Sequence, residues 1–165
     1  MTVPGLTGPV SQQHLVVIDG CDGAGKSTLA QAVAAHHGHA VVHAALTPEG
    51  VDLFGKYQAT LARPGPLVLD RSFVSELVHG PLDRGHSRLT LAQATQLAAM
   101  VAERGGILVH LTGQPDQIAA RLLARDGHTP PLARVSALIT TYAETFGKLA
   151  AYAPVITIDT TTSAA

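Results

Sequence analysis

The sequence predicts an α/β fold, a five-stranded parallel sheet with helices on both faces and a short lid, and three observations carry that expectation. Five short apolar runs occur at residues 14–18, 40–44, 67–69, 107–111 and 155–158, each separated from the next by a segment of helical periodicity. A glycine-rich segment joins the first run to the first helical segment. Near residue 126 a helical segment breaks into Asp126-Gly127-His128-Thr129-Pro130-Pro131. Strands that are apolar throughout are buried on both sides, and alternation with helices is how a parallel sheet obtains that cover. The 165 residues fit one domain, and a hydrophobic content of 46% is ample for its core.

Residues 1–13, with Pro4, Gly5, Gly8 and Pro9, read as a flexible lead, and residues 14–159 as the folded unit. The first strand, residues 14–18, runs into Gly20-Cys21-Asp22-Gly23-Ala24-Gly25-Lys26-Ser27, which fits G-x-x-x-x-G-K-[ST]. Glycines let successive backbone N–H groups curl around a phosphate while the next helix aims its N-terminus at the same anion. Gly20, Cys21, Asp22, Gly23, Ala24, Gly25, Lys26, Ser27 and Thr28 are therefore the expected nucleotide contacts, with Lys26 reaching the β- and γ-phosphates and Ser27 reaching Mg²⁺. The first helix spans 26–37 and stops at Gly38. A strand at 40–44 and a helix at 51–61 follow. The third strand, 67–69, ends in Asp70, a carboxylate suited to the Mg²⁺ shell beside Ser27. Arg71 comes next, and its planar guanidinium suits a pair of phosphate oxygens. Helices at 71–78 and 90–104 lead to Gly105-Gly106 and the strand at 107–111. Helices at 115–125 and 133–151, the strand at 155–158 and a tail at 160–165 complete the chain. Ligands of open α/β sheets bind at the carboxyl ends of the strands, so residues 19–27, 46–50, 70–75 and 112–113 should face one crevice.

Asp70-Arg71-Ser72, taken with Asp22-Gly23-Ala24-Gly25-Lys26-Ser27-Thr28, resembles the thymidylate kinase group of P-loop nucleotide kinases, over most of residues 14–159. Residues 75–81 with Arg84-Gly85 are similar to the shorter, phage-type members of that group. The resemblance implies a P-loop kinase fold, ATP and Mg²⁺ as cofactors, and an arginine-bearing lid at about residues 121–131 that closes over the donor. Arg121 and Arg125, four apart on one helix face, are the expected lid arginines, since Ala24 places no basic side chain in the loop. The chain departs from the group after the second strand, where a Thr-Arg-Glu-Pro element is replaced by Thr47-Pro48-Glu49-Gly50. An acceptor that carries a phosphate would need cations, Arg71 with Arg63 or Arg84. A free hydroxyl would need a carboxylate base, Glu49 or Asp22, and that case resembles deoxynucleoside kinases, whose acid-Arg-Ser element Asp70-Arg71-Ser72 echoes. The expected function is ATP-dependent phosphoryl transfer to a nucleoside monophosphate of thymidylate type. The alternative acceptor is a deoxynucleoside, or 5-hydroxymethyluracil in DNA.

Composition narrows the classes. A net charge of -1 lacks the basic surplus of a DNA-binding groove, so DNA is an unfavoured partner, with a local patch of Arg63, Arg84 and Arg88 as its only support. The chain contains no asparagine, hence no Asn-Lys-x-Asp guanine reader, which disfavours a GTPase-type switch and leaves a nucleotide-binding module without turnover as the rival of another class. No apolar run approaches a membrane span and residues 1–13 lack a signal peptide's apolar core, so a cytoplasmic protein without a membrane partner is expected. Cys21 is the single cysteine and is expected to pack within the loop. Phe54, Tyr57 and Phe73 border the acceptor side, where a flat base stacks or the core packs. His36-His37-Gly38-His39 reads as a helix-end dipole contact or, by density alone, a metal site. A homodimer is left open.

Overall fold

In the computed structural model, which describes residues 13–162, strand β1 (Leu15–Gly20) is buried on all six residues. Successive side chains of a strand point to opposite faces, so the sheet is covered on both sides at its centre. The other strands are β2 (Ala40–His43), β3 (Leu67–Asp70), β4 (Ile107–Thr112) and β5 (Val155–Asp159). They lie in the order β2-β3-β1-β4-β5, with every neighbouring pair parallel, which is the expected five-stranded parallel sheet. The chain leaves β1 toward β2 but leaves β4 toward β5, so the connections diverge between the carboxyl ends of β1 and β4. A crevice opens at such a switch point, and the glycine-rich loop stands there.

Helix α1 (Lys26–His37) packs over β1, β2 and β3 with Leu29, Ala30 and Val33 buried. Helices α3 (Phe73–His79), α4 (Leu91–Glu103) and α6 (Leu132–Leu149) pack on one another and on β1 and β4, forming the other layer. Helix α2 (Leu53–Leu61) leans on α4, and α5 (Pro115–Asp126) on α6. The single helix between β2 and β3 leaves room for little else on that flank.

Local chemistry sets the boundaries. Asp52 accepts the Gly55 N–H at 3.1 Å and caps α2, which therefore begins at Leu53 rather than at residue 51. Thr90 and Gln93 close a capping box at the start of α4. The helix expected from residue 71 starts at Phe73, because Arg71 has φ 68 and Ser72 is its extended N-cap, accepting the Val74 N–H at 3.2 Å. A five-residue π-helical stretch, Gly80–Arg84, prolongs α3 and had no forewarning in the sequence. Thr160 donates its N–H to Thr112 O at 2.9 Å, and the N–H groups of Thr161 and Thr162 turn onto Asp159, so the start of the expected tail is bonded into the fold. The expected lead falls on residues 1–12 outside the described residues, apart from Gln13, whose carbonyl bonds His39 Nε2 at 2.7 Å. Among the described residues no helix is long and apolar enough to cross a membrane.

Candidate active site

Gly20 lies where β1 turns into the loop, and a Cβ there would stand 2.2 Å from Leu111 O, so only glycine lets β4 come this close. Gly25 closes the loop at φ 95, and the space beside it is open, leaving a mouth above the N-terminus of α1. Lys26 is buried within this loop. Its ammonium donates to Gly20 O at 2.8 Å and Cys21 O at 2.9 Å, with an Asp22 carboxylate oxygen 3.6 Å away. Burial lowers the Lys26 pKa, and Asp19 and Asp22 offset only part of that. The Cys21 thiol is buried and pushed up by burial, which makes it a packed side chain rather than a nucleophile.

Ser27 donates its hydroxyl to Asp70 Oδ2 at 2.6 Å, and the His43 ring contacts the same oxygen at 3.0 Å. The two expected Mg²⁺ residues are thus brought together across 43 residues of sequence, Ser27 exposed at the mouth and Asp70 buried behind it. A hydroxyl that gives its proton to a carboxylate keeps its lone pairs for a hard cation, so this donor set fits Mg²⁺. His43 was not anticipated; its signal was its place as the last residue of β2, in register with Asp70.

Arg71 is the one non-glycine residue with positive φ among the described residues. Such a conformation costs of order 1 kcal/mol and persists only where surroundings impose it. Its N–H is held by Ile18 O at 3.1 Å, and its guanidinium turns to pair with Asp22 in the loop. Burial alone would raise the Asp22 pKa, but Arg71 and Lys26 outweigh it and hold the carboxyl below its ordinary value. Burial likewise opposes the Arg71 charge, and Asp22 overcomes it.

Asp19, fully buried, explains the imposed turn. It accepts from the Gly20, Ser72 and Ser75 N–H groups, each at 2.9 Å, and from the Ser72 and Ser75 hydroxyls. One carboxylate therefore bolts the loop to Asp70-Arg71-Ser72. The available signal was a charge inside an apolar strand, matched by serines three apart, Ser72 and Ser75.

The lid arginines separate. Arg121 donates to Gly23 O at 3.3 Å and to Thr160, whereas Arg125 is exposed and pairs with Asp126 through Nε at 2.8 Å. Residues four apart share a face but stand about 6 Å apart along the axis. Only the nearer arginine reaches the loop.

On the side expected to take an acceptor, a cavity of about 200 Å³ is lined by residues including Val42, His43, Lys56, Tyr57, Thr60 and Arg71. A second, of about 420 Å³, is lined by Thr47, Glu49, Gly50, Arg84, His86 and Arg88. Glu49 is therefore exposed in the second cavity and not in the one that Arg71 lines. Arg63 lines neither, and Arg84 pairs with Glu76. Arg88, also unforeseen in this role, donates to Thr47 O at 2.7 Å and to Pro48 O and Val51 O at 3.0 Å. Tyr57 borders the first cavity, its hydroxyl pushed up by burial, but Phe73 is fully buried with its ring edge-on to Tyr57 at 6.0 Å. Stacking of a base on Phe73 is thereby overturned; the left-handed turn at Arg71 sends the next apolar side chain inward. Phe54 is half-buried against the core. Among the described residues no three His, Cys, Asp or Glu side chains converge on a metal position, so His36, His37 and His39 form none.

No protein-family model matches the sequence, and neither does any curated protein. Solved structures do match in fold. The YorR protein of Bacillus subtilis, in complex with phosphorylated GDP, superposes with a TM-score of 0.77 at 20% identity, covering 88% of this chain and 85% of that one. Deoxyadenosine kinase from M. mycoides with bound dCTP gives 0.58 at 14% identity over 88% and 89%. Shikimate kinase from Acinetobacter baumannii, in complex with shikimate, gives 0.57 at 16% over 95% and 89%. Likeness at these identities is likeness of fold, and the fold of this chain is that of the P-loop kinases.

Proposed function

We propose that the protein transfers the γ-phosphoryl group of ATP to a nucleoside monophosphate of thymidylate type. The carrying observation is Arg71, held in a left-handed turn so that one guanidinium faces the phosphate loop and also lines the cavity shared with Lys56. Two phosphates brought together need cations between and around them, and Arg71 and Lys56 supply these on the acceptor side. Gly20 to Thr28 hold the donor, with Lys26 exchanging its two carbonyl partners for phosphate oxygens. Ser27 and Asp70 would hold Mg²⁺, which when bound would supply positive charge to the donor phosphates. Arg125, paired now with its exposed neighbour Asp126, is free to leave it, and closure of a lid would set it, beside Arg121, over the transferring group. The absence of a membrane-crossing helix among the described residues is consistent with a cytoplasmic site of action.

One observation favours a second reading, a free-hydroxyl acceptor such as a deoxynucleoside. Asp22, kept ionised by Arg71 and Lys26 at the mouth of the loop, is a carboxylate able to take a hydroxyl proton, and Glu49 is the other acid on that side. Among the proteins of this fold, deoxyadenosine kinase and shikimate kinase are so named. ADP release from ATP·Mg²⁺ against nucleoside monophosphates, nucleosides and 5-hydroxymethyluracil DNA separates the readings. Turnover with a monophosphate is expected. Turnover only with free hydroxyls would move the assignment to Asp22 as base, and acceptor-independent binding without turnover would reject the kinase reading.

A further inference from the structure

A phosphate loop presents its N–H groups inward only if its carbonyls turn outward, and an outward carbonyl shielded from water costs about 1–3 kcal/mol unless a donor meets it. The ends of this loop are met locally: Lys26 takes Gly20 O and Cys21 O, and the Leu29 N–H takes Gly25 O at 3.1 Å. The middle is met from far away. Ala24, fully buried, gives its carbonyl to the Thr160 hydroxyl at 2.9 Å, across 136 residues of sequence, and Gly23 gives its carbonyl to Arg121.

The two donors are themselves joined. Arg121 donates to Thr160 Oγ1 at 2.9 Å and to Thr160 O at 2.6 Å, and the Thr160 N–H is fixed on Thr112 O. A hydroxyl that accepts from a guanidinium has its single proton free for one acceptor, and the shorter of its two carbonyl contacts is Ala24 O, Thr112 O lying at 3.4 Å. The order of donation is therefore Arg121 to Thr160 to Ala24. Behind Gly23, a Cβ would stand 3.1–3.3 Å from Leu122 and Ile118 of α5, so the loop also rests directly on that helix.

We propose that Thr160, aligned by Arg121, is a positioning residue that holds the middle of the phosphate loop in its anion-binding form. The inference rests on the reading of this loop as a nucleotide site. It gives the segment after β5 a part in donor binding without contact to the donor.

The test is calorimetric titration of ATP·Mg²⁺, and separately of inorganic tripolyphosphate with Mg²⁺, into the wild type, Thr160→Val and Thr160→Ser. Valine keeps the branched shape and deletes the donor, whereas serine keeps the donor. Both ligands should bind Thr160→Val about tenfold more weakly, by the same factor, and Thr160→Ser should restore wild-type affinity. Weakening of ATP alone would overturn the inference, since Thr160 would then act on the base or ribose, and so would unchanged affinity for both. Where Thr160→Val does not fold, Thr160→Ala serves instead: it also deletes the hydroxyl donor to Ala24 O, so an equal loss for both ligands is expected, and wild-type affinity overturns the inference. Failure of the wild type to bind either ligand would reject the nucleotide site itself, a result distinct from any difference between variants.

Discussion

The phosphate loop and the loop at residues 44–52 flank the same crevice and are held in opposite ways. Around the first, side chains from α1, α5 and the segment after β5 meet the carbonyls at Gly20, Cys21, Gly23 and Ala24. In the second, one guanidinium, Arg88, collects three carbonyls, Lys56 donates to the Thr47 hydroxyl and the Ala44 N–H bonds Asp70 O, while Leu46 is wholly exposed and Glu49 faces solvent. The phosphate loop is therefore built into the core of the fold, whereas the loop proposed as the acceptor wall is an exposed one strapped chiefly by Arg88. Preorganised groups stabilise developing charge without rearranging. A wall of the second kind can vary its ligand without disturbing the first.

Substitutions on the two sides should separate in size and kind. The largest effect is expected from Lys26→Ala, which removes both the loop's internal tie and its phosphate cation; turnover should fall at least about 100-fold, measured as ADP release at saturating ATP. Arg71→Gly comes next. Relief of the left-handed strain and loss of the half-exposed pair with Asp22 are each worth of order 1 kcal/mol and oppose one another. Melting should shift by no more than about 3 °C while turnover collapses, and a large drop in Tm with activity retained would remove Arg71 from the site.

Arg88→Ala tests the strap. The acceptor KM should rise about tenfold with the ATP KM unchanged, since three carbonyls lose their shared donor but nothing on the phosphate loop moves. Equal changes in both constants would mean that the two loops are not independent.

The smallest effect concerns the braced half at low pH. His110 lies opposite Asp19 in the sheet, stacks on Phe146 at 4.6 Å and has an Nε2 without a partner among the described residues. Burial lowers its pKa from 6.5, with Asp19 opposing. The unfolded chain then takes up a proton near pH 6.5 that the folded chain refuses until lower pH, so this contribution to stability is present above 6.5 and is lost as pH falls below it. His110→Phe should flatten the fall in Tm between about pH 7.5 and pH 5 by roughly 3 °C. An unchanged slope would assign the acid sensitivity to other groups.

The same contrast explains what could be read from the sequence. The placement of Gly20 to Thr28 beside Asp70-Arg71 was legible because both segments are fixed by local spacing at the ends of apolar strands. Asp19, Arg88 and Thr160 were not, because their partners lie 53, 41 and 136 residues away and only the folded sheet brings them together. For Phe73 the sequence leaves base stacking and core packing open, and the structure decides for the core: Arg71 turns left-handed, Ser72 caps, and the first helical residue is buried. The end of α5 at Gly127 was legible, but not the separation of its arginines, since helical spacing places Arg121 and Arg125 on one face without saying which level the phosphate loop occupies.

The central claim is most directly tested by following ATP·Mg²⁺ and thymidine monophosphate with the protein by ³¹P NMR, with Lys26→Ala as the control. Matched growth of the ADP and thymidine diphosphate resonances, lost in Lys26→Ala, is the predicted result. Persistence of both starting nucleotides, or release of inorganic phosphate without a new diphosphate, would contradict phosphoryl transfer to this acceptor.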